Sequence, residues 1–193
     1  AARKANFSLP EADIRAASWD VAFCADPVFL GQYPEDIMKS FGQYFPKNAE
    51  KDLELISQPL DFMGQNIYNG YFVKAGENGE IEFPERPEGF PKTAANWPVT
   101  PDCFYWGVKF IYDRYKLPLF VTENGMSCHD DVSLDGRVHD PNRQNFLDMY
   151  ISALQKANDE GVDVRGYFLW TFLDNFEWDK GYTERFGIVH VDF

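Results

Sequence analysis

Histidine and cysteine are scarce here, three of each in 193 residues. Cys24, Cys103 and Cys128 are odd in number, widely separated and outside any metal-like spacing, so they read as reduced thiols. His129, His139 and His190 form no spaced ligand set, and neither a metal nor a cofactor is expected. Positive charge is also in short supply: 18 Lys and Arg face 31 Asp and Glu, for a net charge of −13. That balance argues against nucleic acid or an anionic membrane as partner and favours a neutral ligand. No apolar run approaches the ~20 residues of a membrane span, and no signal peptide stands at the start. The opening AARKANF does not read as a natural beginning, so cytoplasmic residence is expected with secretion left open.

Aromatic side chains, by contrast, are plentiful: 18 Phe, 10 Tyr and 5 Trp, many of them clustered beside polar residues. Such clusters usually signal core packing, but flat amphipathic rings also suit sugar faces. The length is about one domain's worth, and 45% hydrophobic content places the chain among globular proteins.

Pro10 to about Ala25 reads as a helix with Ile14, Ala17, Val21 and Ala22 on one side, ended by Asp26-Pro27. Short helices from Glu35 and after Asn48 follow, then a strand within Leu60 to Tyr68 and a hairpin turning at Asn78-Gly79. Five prolines between Pro84 and Pro101 mark a long loop. Thr100-Pro101 opens a helix with threonine as cap, and Asp140-Pro141 repeats that opening. The second of these helices carries an apolar stripe of Phe146, Leu147, Tyr150, Ile151, Leu154 and Ala157, ended by Gly161. Strands are expected at Leu119 to Glu123 and within VRGYFLWTF, with a weak one at Ile188 to Asp192. Strand, helix, strand, helix, strand is the order of parallel βα units, an α/β fold. The spacing leaves enlarged loops at the strand C-termini, where barrel enzymes place their sites, yet three strong strands cannot close an eight-stranded barrel.

Parallel strands would bring Asn66, Tyr68, Glu123 and Trp170 to one end, and the loop FLDNFEWDKGYTERFG adds Glu177, Trp178 and Phe186. An amide, a phenol, a carboxylate and an indole make a plausible floor for a polyhydroxylated ring. Each also has a plainer reading. Glu123 can be a solvated strand end, Tyr68 and Trp170 core aromatics, and Glu177 a surface partner of Lys180 or Arg185. Their co-occurrence at successive strand tips favours a site.

LFVTENG, DFMGQNIY and GYFLWTFLDNFEWDKGYTERFGIVHVDF resemble the C-terminal half of the β-glucosidases of glycoside hydrolase family 1. WDVAFCADPVFLGQYP and YFPKNAEKDLELISQPLDF resemble the segments before the sixth barrel strand in that family, so the likeness covers nearly the whole chain. The resemblance implies that residues 1–193 are one partial domain, about the last three βα units of a (β/α)8 TIM barrel whose N-terminal half is absent. It makes Glu123 the nucleophile of a retaining β-glucosidase and Tyr68 the phenol that hydrogen-bonds and orients it. Asn66 matches the amide on the same strand, and Trp170 the indole near the glycone sugar. Glu177 and Trp178 match the pair that grips the O4 and O6 side, Phe186 an aromatic of the same subsite, and Trp97 the platform under the leaving group. A β-glucoside or cello-oligosaccharide is the implied substrate, in carbohydrate metabolism or cellulose degradation.

Two departures stand out. Ile67 replaces the usual tyrosine of the sixth-strand motif, on a side chain expected to face away. More seriously, the general acid/base glutamate belongs to an Asn-Glu-Pro motif, which occurs nowhere in these residues. Retaining hydrolysis needs two carboxyl groups ~5 Å apart. The chain alone is therefore expected to be inactive, with the acid/base supplied by the N-terminal half of the same barrel. A 6-phospho-β-glycosidase and a non-catalytic carbohydrate-binding half-barrel are the alternatives. Glu177 disfavours the first, because it would repel a phosphate dianion.

Overall fold

The computed structural model describes residues 21–77 and 81–193, which fall into two compact units. One takes in residues up to Asp61 together with Tyr71–Glu85; the other comprises Phe62–Gly70 and Arg86–Phe193. Most of the helix expected from Pro10, and the Asn78-Gly79 turn, lie outside the described residues.

In the first unit, helices α1 (Phe23–Phe29), α2 (Glu35–Phe41) and α3 (Ala49–Ile56) precede a two-stranded antiparallel ribbon, β2 (Lys74–Ala75) with β3 (Ile81–Glu82). The phenolic ring of Tyr33 meets Phe45 edge-on at 4.7 Å, between the helices. Asp26-Pro27 does not end α1, contrary to the sequence reading; the helix runs through it to Phe29. Ala25, Asp26 and Pro27 are all buried, and Leu30 N–H bonds the Asp26 carbonyl at 2.7 Å, so packing overrides the local preference of the dipeptide.

The second unit carries three parallel strands in the order β1 (Met63–Asn66), β4 (Leu119–Asn124), β5 (Val164–Leu169). Helices α4 (Asp102–Tyr115) and α5 (Pro141–Asp159) make the crossovers expected of βα units. Their order and direction match the sequence reading. Leu119 and Val121 alternate onto the helix-covered face and are wholly buried, as are Phe104, Val108 and Tyr150; each contributes about 1.5–3 kcal/mol by leaving water. The ring of Phe104 joins helix to sheet, 5.3 Å from Tyr150 and 6.3 Å from Tyr167 of β5. Ile151 of the anticipated stripe is exposed, whereas Arg143, one turn before Phe146, is buried in it. Gly161 follows α5 at a φ of +102°, a backbone setting that favours glycine, and its N–H closes on the Asn158 carbonyl at 2.9 Å.

Neither expected side-chain cap forms. Thr100 Oγ1 accepts from Gly70 N–H at 2.9 Å, tying the loop after β1 to the start of α4, and Asp140 takes the Arg143 guanidinium. Ile188 to Asp192 also fails to form a strand; Val189 makes a single parallel bridge to Leu173. Ile188 N–H and Val189 N–H still meet the Thr171 and Phe172 carbonyls, at 3.0 and 2.9 Å, but the pairing stops at Val191, whose N–H donates to the Asp174 carboxylate at 3.1 Å and whose carbonyl accepts from Arg185.

The opposite sheet face bears Phe120, Phe168 and the small residues Gly64 and Gly166, with the Phe62 ring 5.0 Å from Phe120. Phe62 and Phe168 are more than half exposed. The sheet is open, and the described residues contain no closed barrel.

Candidate active site

Both ladders lose their register at the strand tips. Gln65 faces Val121 but Asn66 faces Glu123, and β5 slips between Val121 and Asn124. Such irregularity bends the tip and re-aims side chains. Here it turns Glu123 toward Tyr68, whose hydroxyl donates to Glu123 Oε2 at 2.8 Å. Burial first, then the hydrogen bond and the charges of Glu123 and Glu177, hold the Tyr68 phenol well above its ordinary range. It therefore stays protonated and remains a donor.

The structure brings three of the candidate rings together. The Tyr68 ring lies 5.2 Å from Trp97 and 6.3 Å from Phe186, and Trp97 lies 5.8 Å from Phe186. Phe186 is 3% exposed, so it backs the cluster and presents little surface to a ligand. Glu177 is close enough to act on Tyr68 by charge. Lys180 and Arg185, its alternative partners, bind Asp179 at 3.3 Å and Asp174 at 2.6 Å. Trp178 is 83% exposed and stands apart from the rings. Asn66 accepts from Thr122 Oγ1 at 2.7 Å on the open sheet face. Trp170 is partly exposed, its N–H bonded to the Asn124 carbonyl at 2.8 Å.

Gly125 lets that contact happen. A Cβ there would fall far inside van der Waals contact distance of the Trp170 carbonyl oxygen, a main-chain atom that cannot swing aside. Gly125→Ala must therefore push the tips of β4 and β5 apart. Thermal unfolding should show this variant destabilised by about 1–3 kcal/mol, the range for overpacking a close-packed position.

Several organising residues escaped the sequence reading. Asp174, fully buried, gathers Arg185, Gly187 N–H and Val191 N–H, which shapes the loop bearing Glu177, Trp178 and Phe186. Arg143 donates to Asp130 at 2.7 Å, to the Met126 carbonyl at 3.2 Å and to the Arg185 carbonyl at 3.0 Å, linking the loops after β4 and β5. A charged residue at an apolar-stripe position was the available signal for Arg143. Asn124 and Tyr167, hydrogen-bonded to each other at 2.9 Å, gave none beyond their polarity in apolar strands.

Cys128, Asp130 and Asp140 place their donor atoms within 4.8 Å of one another. The Arg143 guanidinium already answers both carboxylates, and burial pushes the Cys128 thiol up to about 11, so the cluster is an ion-paired core element and a poor thiolate donor to a cation. A separate cleft of about 380 Å³, lined by Lys92, Ser127, His129, Asp131 and His139 among others, includes neither Tyr68 nor Glu123. No helix among the described residues is long and apolar enough to cross a membrane.

The profile of a family described as glycosyl hydrolase family 1 matches residues 4–193. The chain is 42% identical to β-glucosidase A of Thermotoga maritima, an alignment covering 96% of this chain and 43% of that protein. It is likewise 42% identical to a 1,4-β-D-glucan glucohydrolase of Thermotoga neapolitana, over 95% of this chain and 44% of the relative. Among solved structures, the T. maritima β-glucosidase in complex with castanospermine superposes with a TM-score of 0.84 at 41% identity, over 95% of this chain and 42% of that one. The chain thus spans less than half the length of these relatives. With a matching profile along nearly all of its residues, it belongs to glycosyl hydrolase family 1.

Proposed function

We propose that these residues form the C-terminal part of a (β/α)8 barrel in a retaining β-glucosidase, with Glu123 as its nucleophile. The observation that carries this reading is the 2.8 Å bond from Tyr68 to Glu123 at a strand tip walled by Trp97 and Phe186. The open sheet face with Phe62 and Phe168 exposed suits a barrel interior that other strands would complete. Under this reading residues 1–193 act as one part of one catalytic domain.

The chemistry follows from one carboxylate here and a second elsewhere in the complete protein. A Glu123 oxygen attacks the anomeric carbon, forming the C1–O ester bond as the bond to the leaving-group oxygen breaks. The second carboxyl group gives that oxygen its proton. It then takes a proton from water, whose oxygen attacks C1 and frees Glu123, so two inversions give net retention. Tyr68 supports the carboxylate from below, Trp97 offers an aromatic wall, and Glu177 and Trp178 bind glycone hydroxyls, with Asn66 and Trp170 lining the floor. The substrate class is a terminal β-D-glucosyl residue on an aryl or cello-oligosaccharide leaving group.

The complete protein should release glucose as its β-anomer from an aryl β-D-glucoside, followed by NMR before mutarotation. It should also hydrolyse the glucoside in preference to its 6-phosphate, because Glu177 opposes the phosphate charge. An α-anomer as first product would overturn the mechanism, and faster turnover of the phosphate would overturn the substrate class.

A further inference from the structure

We propose that Asn124 is a positioning residue, whose buried side-chain amide sets the approach of Tyr68 to Glu123 by holding Ile67 from the next strand. The inference rests on Glu123 being the nucleophile.

At the strand tips the ladders no longer determine where Tyr68 lies, because both registers shift there. What replaces them is a pair of bonds on one residue. Ile67 N–H donates to the Glu123 carbonyl at 3.0 Å, and the Ile67 carbonyl accepts from Asn124 Nδ2 at 2.8 Å. With both main-chain groups of Ile67 fixed to consecutive residues of β4, the next residue, Tyr68, has its phenol delivered to Glu123. Toward β5, Tyr167 donates its hydroxyl to Asn124 Oδ1 at 2.9 Å, and the Asn124 carbonyl accepts from Trp170 N–H. Asn124 is 0% exposed, so its own amide has no water as an alternative partner.

The residue type follows from the two neighbours. Ile67 presents a carbonyl, which needs a donor. Tyr167 presents a phenol that burial keeps protonated above its ordinary range, which needs an acceptor. A primary amide on a one-carbon stem meets both at once; aspartate lacks the donor and leucine lacks both. The amide's orientation is thereby fixed by its surroundings.

The test is a double-mutant cycle in the complete protein, reading kcat and KM for an aryl β-D-glucoside. Asn124→Ala should lower kcat about 10-fold with KM within about 3-fold, and Tyr167→Phe, which removes only a hydroxyl, should do the same to a smaller extent. In a Tyr68→Phe background both substitutions should cost less than about 2-fold, since the bond they support is already gone. If Asn124→Ala fails to fold, the Tyr167→Phe arm decides alone. Losses undiminished by Tyr68→Phe would show a merely structural role and overturn the proposal, as would single variants with unchanged kcat. Normal turnover by Glu123→Gln would instead overturn the nucleophile reading, and this proposal with it.

Discussion

Glu123→Gln is expected to cut kcat of the complete protein by on the order of 10⁴-fold or more, with KM little changed. At 1.36 kcal/mol per factor of ten, that is about 5.4 kcal/mol of transition-state stabilisation. The substitution is nearly isosteric and keeps an oxygen that can accept from Tyr68, so the site's shape and the bond at 2.8 Å have every reason to survive. What is lost is the negative oxygen that bonds to C1. A residue that only shaped the pocket would not produce so large an effect on turnover with so small a one on binding. The role can be separated further with Glu123→Ala. There, added azide can take the vacated space and attack C1 from the nucleophile's side, giving an α-glycosyl azide. A β-glycosyl azide would place Glu123 on the leaving-group side and assign it the acid's role.

Tyr68→Phe carries the second largest expected effect, a 10- to 100-fold loss in kcat, from a hydrogen bond to a charged group worth about 1.5–3 kcal/mol. Its pH behaviour distinguishes a hydrogen-bond donor from a simple aromatic wall. The phenol is held above its ordinary value of about 10 chiefly by burial, then by Glu123. A raised pKa means that the neutral, donating form persists as pH rises, so the ratio of wild-type to variant kcat should stay constant from pH 7 to pH 10. Ionisation within that window would set a second negative charge against Glu123 and drive the ratio toward one; kcat measured at both ends of the window checks this.

How much of this was legible beforehand depends on the distance over which each residue acts. The parallel strands, their order and the helices between them follow from short-range patterns: apolar runs for β4 and β5, and an apolar stripe for α5. The pairing of Tyr68 with Glu123 was legible only through resemblance, since 55 residues separate them and the strand register decides whether they meet. Asn124 was visible as a polar strand end, but its role depends on Ile67, 57 residues away, and on Tyr167, 43 away. Composition cannot report such a geometry. The capping expectations for Thr100 and Asp140 failed for a related reason: Gly70 and Arg143 outbid the local helix ends for those oxygens. Pro27 lies inside α1 because burial of its neighbours outweighs the preference of one dipeptide.

Covalent trapping examines the nucleophile assignment most directly. A 2-deoxy-2-fluoro β-glucoside with a good leaving group should inactivate the complete protein at one equivalent. Mass mapping should then find the fluoroglucosyl group esterified to Glu123 in the peptide containing LFVTENG. The same adduct on any other carboxylate, or turnover with no adduct formed, would contradict the account.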